Sequence, residues 1–282
     1  MFLSGLRKPV DTFVPSAGHL YRRLRDASVA QRYRQTIYGF KLAGDARIAS
    51  SDFESNEVTG FLELLESHDT VLDIGANIGF YSCLAASRGK HVVSFEPGPR
   101  NLHFLYRNLV ENGLLDVEVF PLGLAKQPGL LHLYGFSDMA SFVTGWAQAD
   151  RKRRALVPVM SLDRIIASRF GGLKLLIKLD VEGYELEVLG GAENTLSLVP
   201  KPTWHVEILL CDSVIPGGTN HRFQDTFETF WERGYQCTRL DKRHAPVQKA
   251  DVDRWLDRGS ADCKSFLFSS KQERFAAGPS PV

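Results

Sequence analysis

The sequence predicts an α/β protein built on a doubly wound, mostly parallel sheet with helices on both faces. Three observations carry this. From Thr70 onward, short apolar runs alternate with amphipathic stretches, the rhythm of βαβ units. Residues 173–179 form a near-continuous apolar run, as a strand covered on both faces requires. The apolar runs also end in polar residues (Asp73, Glu96, Asp180, Glu207), and open α/β sheets bind ligands beyond the carboxyl ends of their strands.

The elements follow in order. Residues 1–50 are basic and loosely patterned, with Arg22, Arg23, Arg25, Arg32 and Arg34 clustered, and read as a solvated helical arm. Residues 51–67 place Val58, Phe61, Leu62 and Leu65 on one helical face. Strands are expected at 71–74, 91–95 and 117–122, with helices at 80–87 and 99–112; Pro99 suits a first helical turn. Residues 129–159 break the rhythm. Two short strands, 130–134 and 156–160, bracket a loop, and an insertion over about 128–160 is expected to cap the cleft. A helix at 185–198, a strand at 203–210 and a helix at 222–232 follow, and 235–240 with 265–269 are expected to close the sheet as an antiparallel pair. The main domain therefore covers 51–270, and 271–282 reads as a disordered tail.

Composition narrows the function. The 282 residues, 44% hydrophobic, suffice for a substantial core. A net charge of +1 gives no global reason to expect nucleic acid as a partner. The four cysteines lie far apart without a C-x-x-C pair, so reduced thiols in a cytoplasmic protein are expected. No run approaches the ~20 apolar residues of a membrane span, and the first residues lack an apolar signal core. The oligomeric state stays open, a homodimer being one option.

Residues 71–79, VLDIGANIG, read as strand, glycine turn and helix start. Gly75 permits the turn and close backbone approach, and the new helix end offers free N–H groups. A dinucleotide fingerprint needs a second glycine where Asn77 stands, which disfavours a pyrophosphate and hence a nicotinamide-dependent oxidoreductase. Glu96, followed by Pro97 and about twenty residues beyond the turn, can accept hydrogen bonds from ribose hydroxyls. Lys178 and Asp180 share a strand face, which Glu182 joins if extension continues. His205 and Glu207 share a face on the next strand. Carboxylates and a lysine at one cleft edge perturb each other's proton affinities, as general bases require. Asp180, Glu182, His205 and Glu207 are metal-capable side chains, but spacing across strands does not fix their separation, and no metal site is assigned. Arg151–Arg154 beside the cap reads as a solvated loop or a contact for an anionic group.

VLDIGANIGFYS, SFEPGPRNLHFLYRNLVENG, SLDRII, LIKLDVEGYELEVLGGAENTL and HVEI together resemble the FkbM family of methyltransferases, over about 39–210. The KLDVEGYELEVLGGA block is the most specific of these. The resemblance implies a class I methyltransferase-like (Rossmann-like) fold with a seven-stranded sheet, S-adenosylmethionine as cofactor, and O-methylation of a hydroxyl on a sugar, glycan or other natural product. By position it implies a cofactor site of Asp73, Gly75, Ala76, Asn77, Gly79, Phe80, Glu96, Pro97, Asn101, Gly123, Leu124 and Asp180. It places Asp180 and Glu182 at the reaction end; Lys178, His205 and Glu207 are further catalytic candidates from their shared strand faces. The sequence departs from the pattern at Lys126, where an acidic residue near the adenine is usual. A catalytically silent member used as an interaction module is the alternative reading.

Overall fold

The computed structural model describes residues 31–270 except 46, 49, 51–52, 136–138, 149–153, 167–168, 212–214 and 242–243. The basic arm up to residue 30, Arg151–Arg153 and the tail from 271 therefore lie outside the described residues. Where the helical arm overlaps them, the chain forms a hairpin of β1 (Arg34–Gln35) and β2 (Lys41–Leu42) instead. Gly39 turns it at φ 95.

Helix α1 (Ser55–Leu65) leads into β3 (Thr70–Ile74), α2 (Phe80–Ala86), β4 (His91–Phe95), α3 (Pro99–Glu111) and β5 (Glu118–Phe120). Next come β6 (Gly123–Leu124), β7 (Gly129–Tyr134) and β8 (Arg154–Met160), then α4 (Leu162–Ile166), β9 (Leu175–Leu179), α5 (Glu185–Leu189) and β10 (Thr203–Glu207). The chain closes with α6 (Phe223–Trp231), β11 (Gln236–Arg239), β12 (Pro246–Val247), α7 (Lys249–Arg258) and β13 (Ser265–Ser269).

Eight strands form the main sheet in the order β12-β11-β13-β10-β9-β3-β4-β5. The five from β10 to β5 are parallel; β13, β11 and β12 are antiparallel. The sheet is thus the doubly wound one expected, with one strand more than seven. The additional strand is the two-residue edge β12, too short to leave a period in the sequence. Alternation along the central strands fills both faces. Leu72, Ile177 and Leu179 enter one core with Phe95 and Trp204, while Val71 and Leu176 enter the other with Phe61 and Leu84. Phe223, Phe227 and Phe230 of α6 pack on β13, with Phe230 stacked on Phe268 at 3.9 Å.

β7 and β8 of the insertion form, with β6, a second sheet in the order β6-β8-β7, outside the main one. The expected helix over 185–198 is broken. Its α-helical part stops at Leu189, before the Gly190–Gly191 pair, whose poor helix propensity favours an end there; a Cβ at Gly191 would lie 2.3 Å from the Ala125 carbonyl oxygen, and only a 3-10 turn at Thr195–Ser197 follows. Among the described residues no helix is long and apolar enough to cross a membrane.

Candidate active site

The carboxyl ends of β3, β4, β9 and β10 open onto a cleft of about 380 Å³. Its first wall is the turn after β3. Gly75 and Ala76 donate their backbone N–H groups to the Phe95 carbonyl, tying the turn to β4. Gly75 sits at φ 85, and a Cβ there would meet the Asp180 carbonyl oxygen at 1.8 Å. The close approach that the sequence reserved for a ligand is thus made first by the neighbouring strand end. Asn77 is left-handed at φ 52 and donates its N–H to Glu96 Oε2 at 2.8 Å.

Glu96 is buried and accepts two more hydrogen bonds, from Gly98 N–H at 2.7 Å and Asn101 Nδ2 at 3.3 Å. Burial pushes its carboxyl up to about 7 despite these donors. Asp73, also buried, accepts from Ser82 Oγ at 2.5 Å, and Ser82 in turn contacts Ser94 Oγ at 2.8 Å. Its carboxyl is raised to about 6, again by burial. Ala76, Phe80, Pro97, Gly123 and Leu124 complete this end of the cleft.

The other end is charged. Lys178, 2% exposed, donates from Nζ to Asp180 Oδ2 at 3.0 Å and lies 5.1 Å over the Tyr81 ring. Burial would lower its proton affinity, but Asp180, Glu54 and Glu207 outweigh that and raise it, so Lys178 is a fixed cation. Glu207 receives Lys264 Nζ on both oxygens, at 3.1 and 3.0 Å; burial and Asp180 nevertheless lift its carboxyl to about 7. Glu182 is left-handed at φ 54 and accepts from Trp146 Nε1 at 2.8 Å. Burial, then Asp180, raise it to about 9, which leaves it protonated at neutral pH. Glu185 is turned away to cap its own loop, accepting from Gly183 N–H at 2.9 Å.

Two predicted site residues do not reach the cleft. Gly79 begins α2 at φ 90 and faces Leu105, whose Cδ1 would lie 2.4 Å from an added Cβ; it shapes the turn and does not line the cleft. His205 is fully buried one residue pair below the site, opposite Lys178, with its ring 6.2 Å from Phe61 and 6.1 Å from Tyr81. Burial lowers its proton affinity well below the ordinary value, so it is a neutral core residue. Among the described residues no group of three or more His, Cys, Asp or Glu side chains is placed to hold a metal ion.

The structure also adds residues that sequence reasoning missed. Glu54, left-handed at φ 42, accepts from Tyr81 OH at 2.6 Å and faces Lys264 at 3.7 Å. Ser141 and Phe142 reach the cleft from the insertion. One signal was available for Tyr81, which follows the glycine turn directly; the others come from segments without a motif.

Three left-handed non-glycine residues, Glu54, Asn77 and Glu182, line this one cleft, and such strain gathers at functional sites. The fold is α/β, with a mostly parallel central sheet and a cleft at the carboxyl ends of its strands. The family model for the Methyltransferase FkbM domain matches residues 73–237, and the chain belongs to the FkbM methyltransferase family. It is 29% identical over 155 residues to the hexuronic acid methyltransferase AglP of Haloferax volcanii, a match covering 54% of this chain and 62% of that one. It is 27% identical over 217 residues to the methyltransferase sdnD of Sordaria araneosa, covering 65% of this chain and 80% of the relative. The crystal structure of methyltransferase FkbM from Methylobacillus flagellatus KT superposes with a TM-score of 0.42 at 21% identity, over 72% of this chain and 44% of that one.

Proposed function

We propose that the chain transfers a methyl group from S-adenosylmethionine to a hydroxyl of a sugar or glycan. One observation carries the reading: a single cleft joins Glu96 to the charged cluster of Asp180, Glu182 and Glu207. The residues fit such a donor in two respects. The Glu96 carboxylate has about four acceptor positions and uses three, so a hydroxyl can still be received there. At the opposite end Asp180 and Glu207, with Asp73 nearby, favour a positively charged group. Asp73, Gly75, Asn77, Glu96, Asn101, Gly123 and Leu124 are the residues proposed to hold the cofactor, which when bound supplies an electrophilic sulfonium methyl.

The protein's own work is alignment and proton management. Lys178 holds the Asp180 carboxylate in one orientation, and Asp180 is proposed to orient the acceptor hydroxyl or take its proton. Glu207, with a proton affinity near neutrality, stands as the second acceptor for that proton. Glu182, protonated, offers a hydrogen bond instead of a negative charge. The relative named as a hexuronic acid methyltransferase supports a sugar as the acceptor class.

Calorimetric titration with S-adenosylmethionine and with NAD tests the cofactor. Transfer of a labelled methyl group to neutral and acidic sugars tests the acceptor. Binding of NAD in place of S-adenosylmethionine, or label transfer to amines only, overturns the reading.

A further inference from the structure

The insertion does more than cover the cleft. Its segment 139–148 grips the acidic loop after β9 at three points. Trp146, 2% exposed, donates Nε1–H to Glu182 Oε2 at 2.8 Å. Ser141, 1% exposed, donates Oγ–H to the Glu182 carbonyl at 2.7 Å and receives the Val143 N–H at 2.9 Å. The Trp146 ring lies flush on Gly183, where a Cβ would approach it to 2.3 Å, so only glycine fits between them. The residue so held, Glu182, is in the left-handed region at φ 54, a conformation that a side chain adopts only when its surroundings impose it. The same segment sends Phe142 against Gly123 on the cofactor side and 5.1 Å from the Tyr184 ring.

We propose that Trp146 and Ser141 are positioning residues: they lock Glu182 into its left-handed conformation and so fix the carboxyl group that forms the cleft wall beside the methyl donor. This rests on the cleft being the S-adenosylmethionine site. Glu182 also faces Asp180 on its own loop, Glu207 at the end of β10 and Glu185 at the start of α5. All three disfavour its ionised form, whereas the Trp146 N–H favours it. Burial and then Asp180 hold Glu182 protonated, and the indole N–H, which favours the ionised form, lowers the pH at which it gains charge as well as fixing its position.

The test is the affinity of the full chain for S-adenosylmethionine between pH 7 and 10, measured by calorimetry for the unaltered protein, Trp146→Phe, Ser141→Ala and Glu182→Gln. In the unaltered chain affinity is expected to rise as Glu182 ionises near pH 9. Trp146→Phe keeps the ring on Gly183 and loses only the N–H. It should bind about ten-fold more weakly at pH 9, with the rise displaced to higher pH. Glu182→Gln, which still accepts from the indole, should lose the rise and keep the pH 7 affinity. Ser141→Ala should weaken binding without displacing the rise, and it serves if Trp146→Phe does not fold by its thermal transition. An unmoved rise in Trp146→Phe, or undiminished affinity in Ser141→Ala, overturns the positioning role. Absence of S-adenosylmethionine binding by the unaltered chain overturns the cofactor reading with it.

Discussion

Gly75 and Asp180 directly follow different strands, β3 and β9, yet a Cβ on the first would stand 1.8 Å from the carbonyl oxygen of the second. The contact is locked on both sides: Asp180 donates its N–H to Ile74 at 3.0 Å, and Gly75 donates to Phe95. The glycine turn after β3 and the end of β9 thus form one corner, with the residue proposed to orient the acceptor hydroxyl resting on the turn proposed to hold the donor. Gly75→Ala meets both an incompatible φ of 85 and a backbone atom that cannot move alone. It should cost at least ~2 kcal/mol of stability and most of the S-adenosylmethionine affinity, measured by urea unfolding and calorimetry. Gly89→Ala, at a similar φ of 73 but with open space around it, is the control and should cost less than Gly75→Ala and leave binding intact.

The Lys178–Asp180 pair separates catalysis from stability. Asp180→Asn should lower methyl transfer by at least ~100-fold, the lower end of what a positioned base contributes, with cofactor binding weakened but still measurable. It also leaves a fully buried ammonium without its nearest anion, which should destabilise the fold by ~3 kcal/mol. Adding Lys178→Met to Asp180→Asn should restore much of the stability and none of the turnover. Chemical denaturation and a labelled-methyl assay on the same preparations read the two effects apart.

The parts of this site that lie on one strand end or one turn were legible in the sequence. Asp73, Gly75, Asn77 and Glu96 announce themselves because a turn, a helix start and a strand end must occur at fixed spacing. Lys178, Asp180 and Glu182 follow from the two-residue period of a strand. What the sequence could not show are the pairings made across the fold. Lys264 meets Glu207 across 57 residues, Trp146 meets Glu182 across 36, and Tyr81 meets Glu54 across 27. Nothing local in KSFLF or TGWAQ marks those side chains as neighbours of the cleft. Helix α7 was missed for another reason: it is polar overall, and only Val252 and Trp255 of its ten residues are buried.

The buried carboxyl groups give the free protein an uncommon pH response. Burial raises Glu96, Glu185 and Glu207 from 4.5 to about 7 and Asp73 from 3.8 to about 6. Between about pH 4.5 and 7 the native state therefore holds protons that the unfolded chain has released, and stability falls as pH rises through that window. Glu182 extends the loss toward pH 9. The carboxylates shifted downward, Asp45, Glu118, Glu228 and Asp262, act in the opposite sense but are more exposed and contribute less; buried His205, neutral in the fold and protonated in the unfolded chain at low pH, also acts in the opposite sense but is outnumbered by the four raised carboxyl groups. The urea midpoint of the ligand-free chain should be higher at pH 5 than at pH 8. Glu96→Gln and Glu207→Gln should each narrow the difference, and an unchanged or reversed difference in both would show that the groups are ionised in the native state.

His205 gives the last prediction because sequence and structure read it differently. As a polar residue in an apolar strand two positions before Glu207, it qualified as a catalytic candidate. In the fold it is sealed beneath Tyr81 and Phe61, uncharged, and neither ring nitrogen has a hydrogen-bond partner among the described residues. A buried polar atom left unpaired costs ~1–3 kcal/mol, so an apolar side chain of similar volume should be accepted there. His205→Leu is expected to retain methyl transfer within about two-fold and to match or exceed the parent in thermal midpoint, the lost ring contacts being offset by the removed desolvation cost. A catalytic or proton-relay role would instead lower turnover by ~100-fold or more at unchanged stability. Running the thermal melt and the labelled-methyl assay on this one variant distinguishes a core residue from a working one.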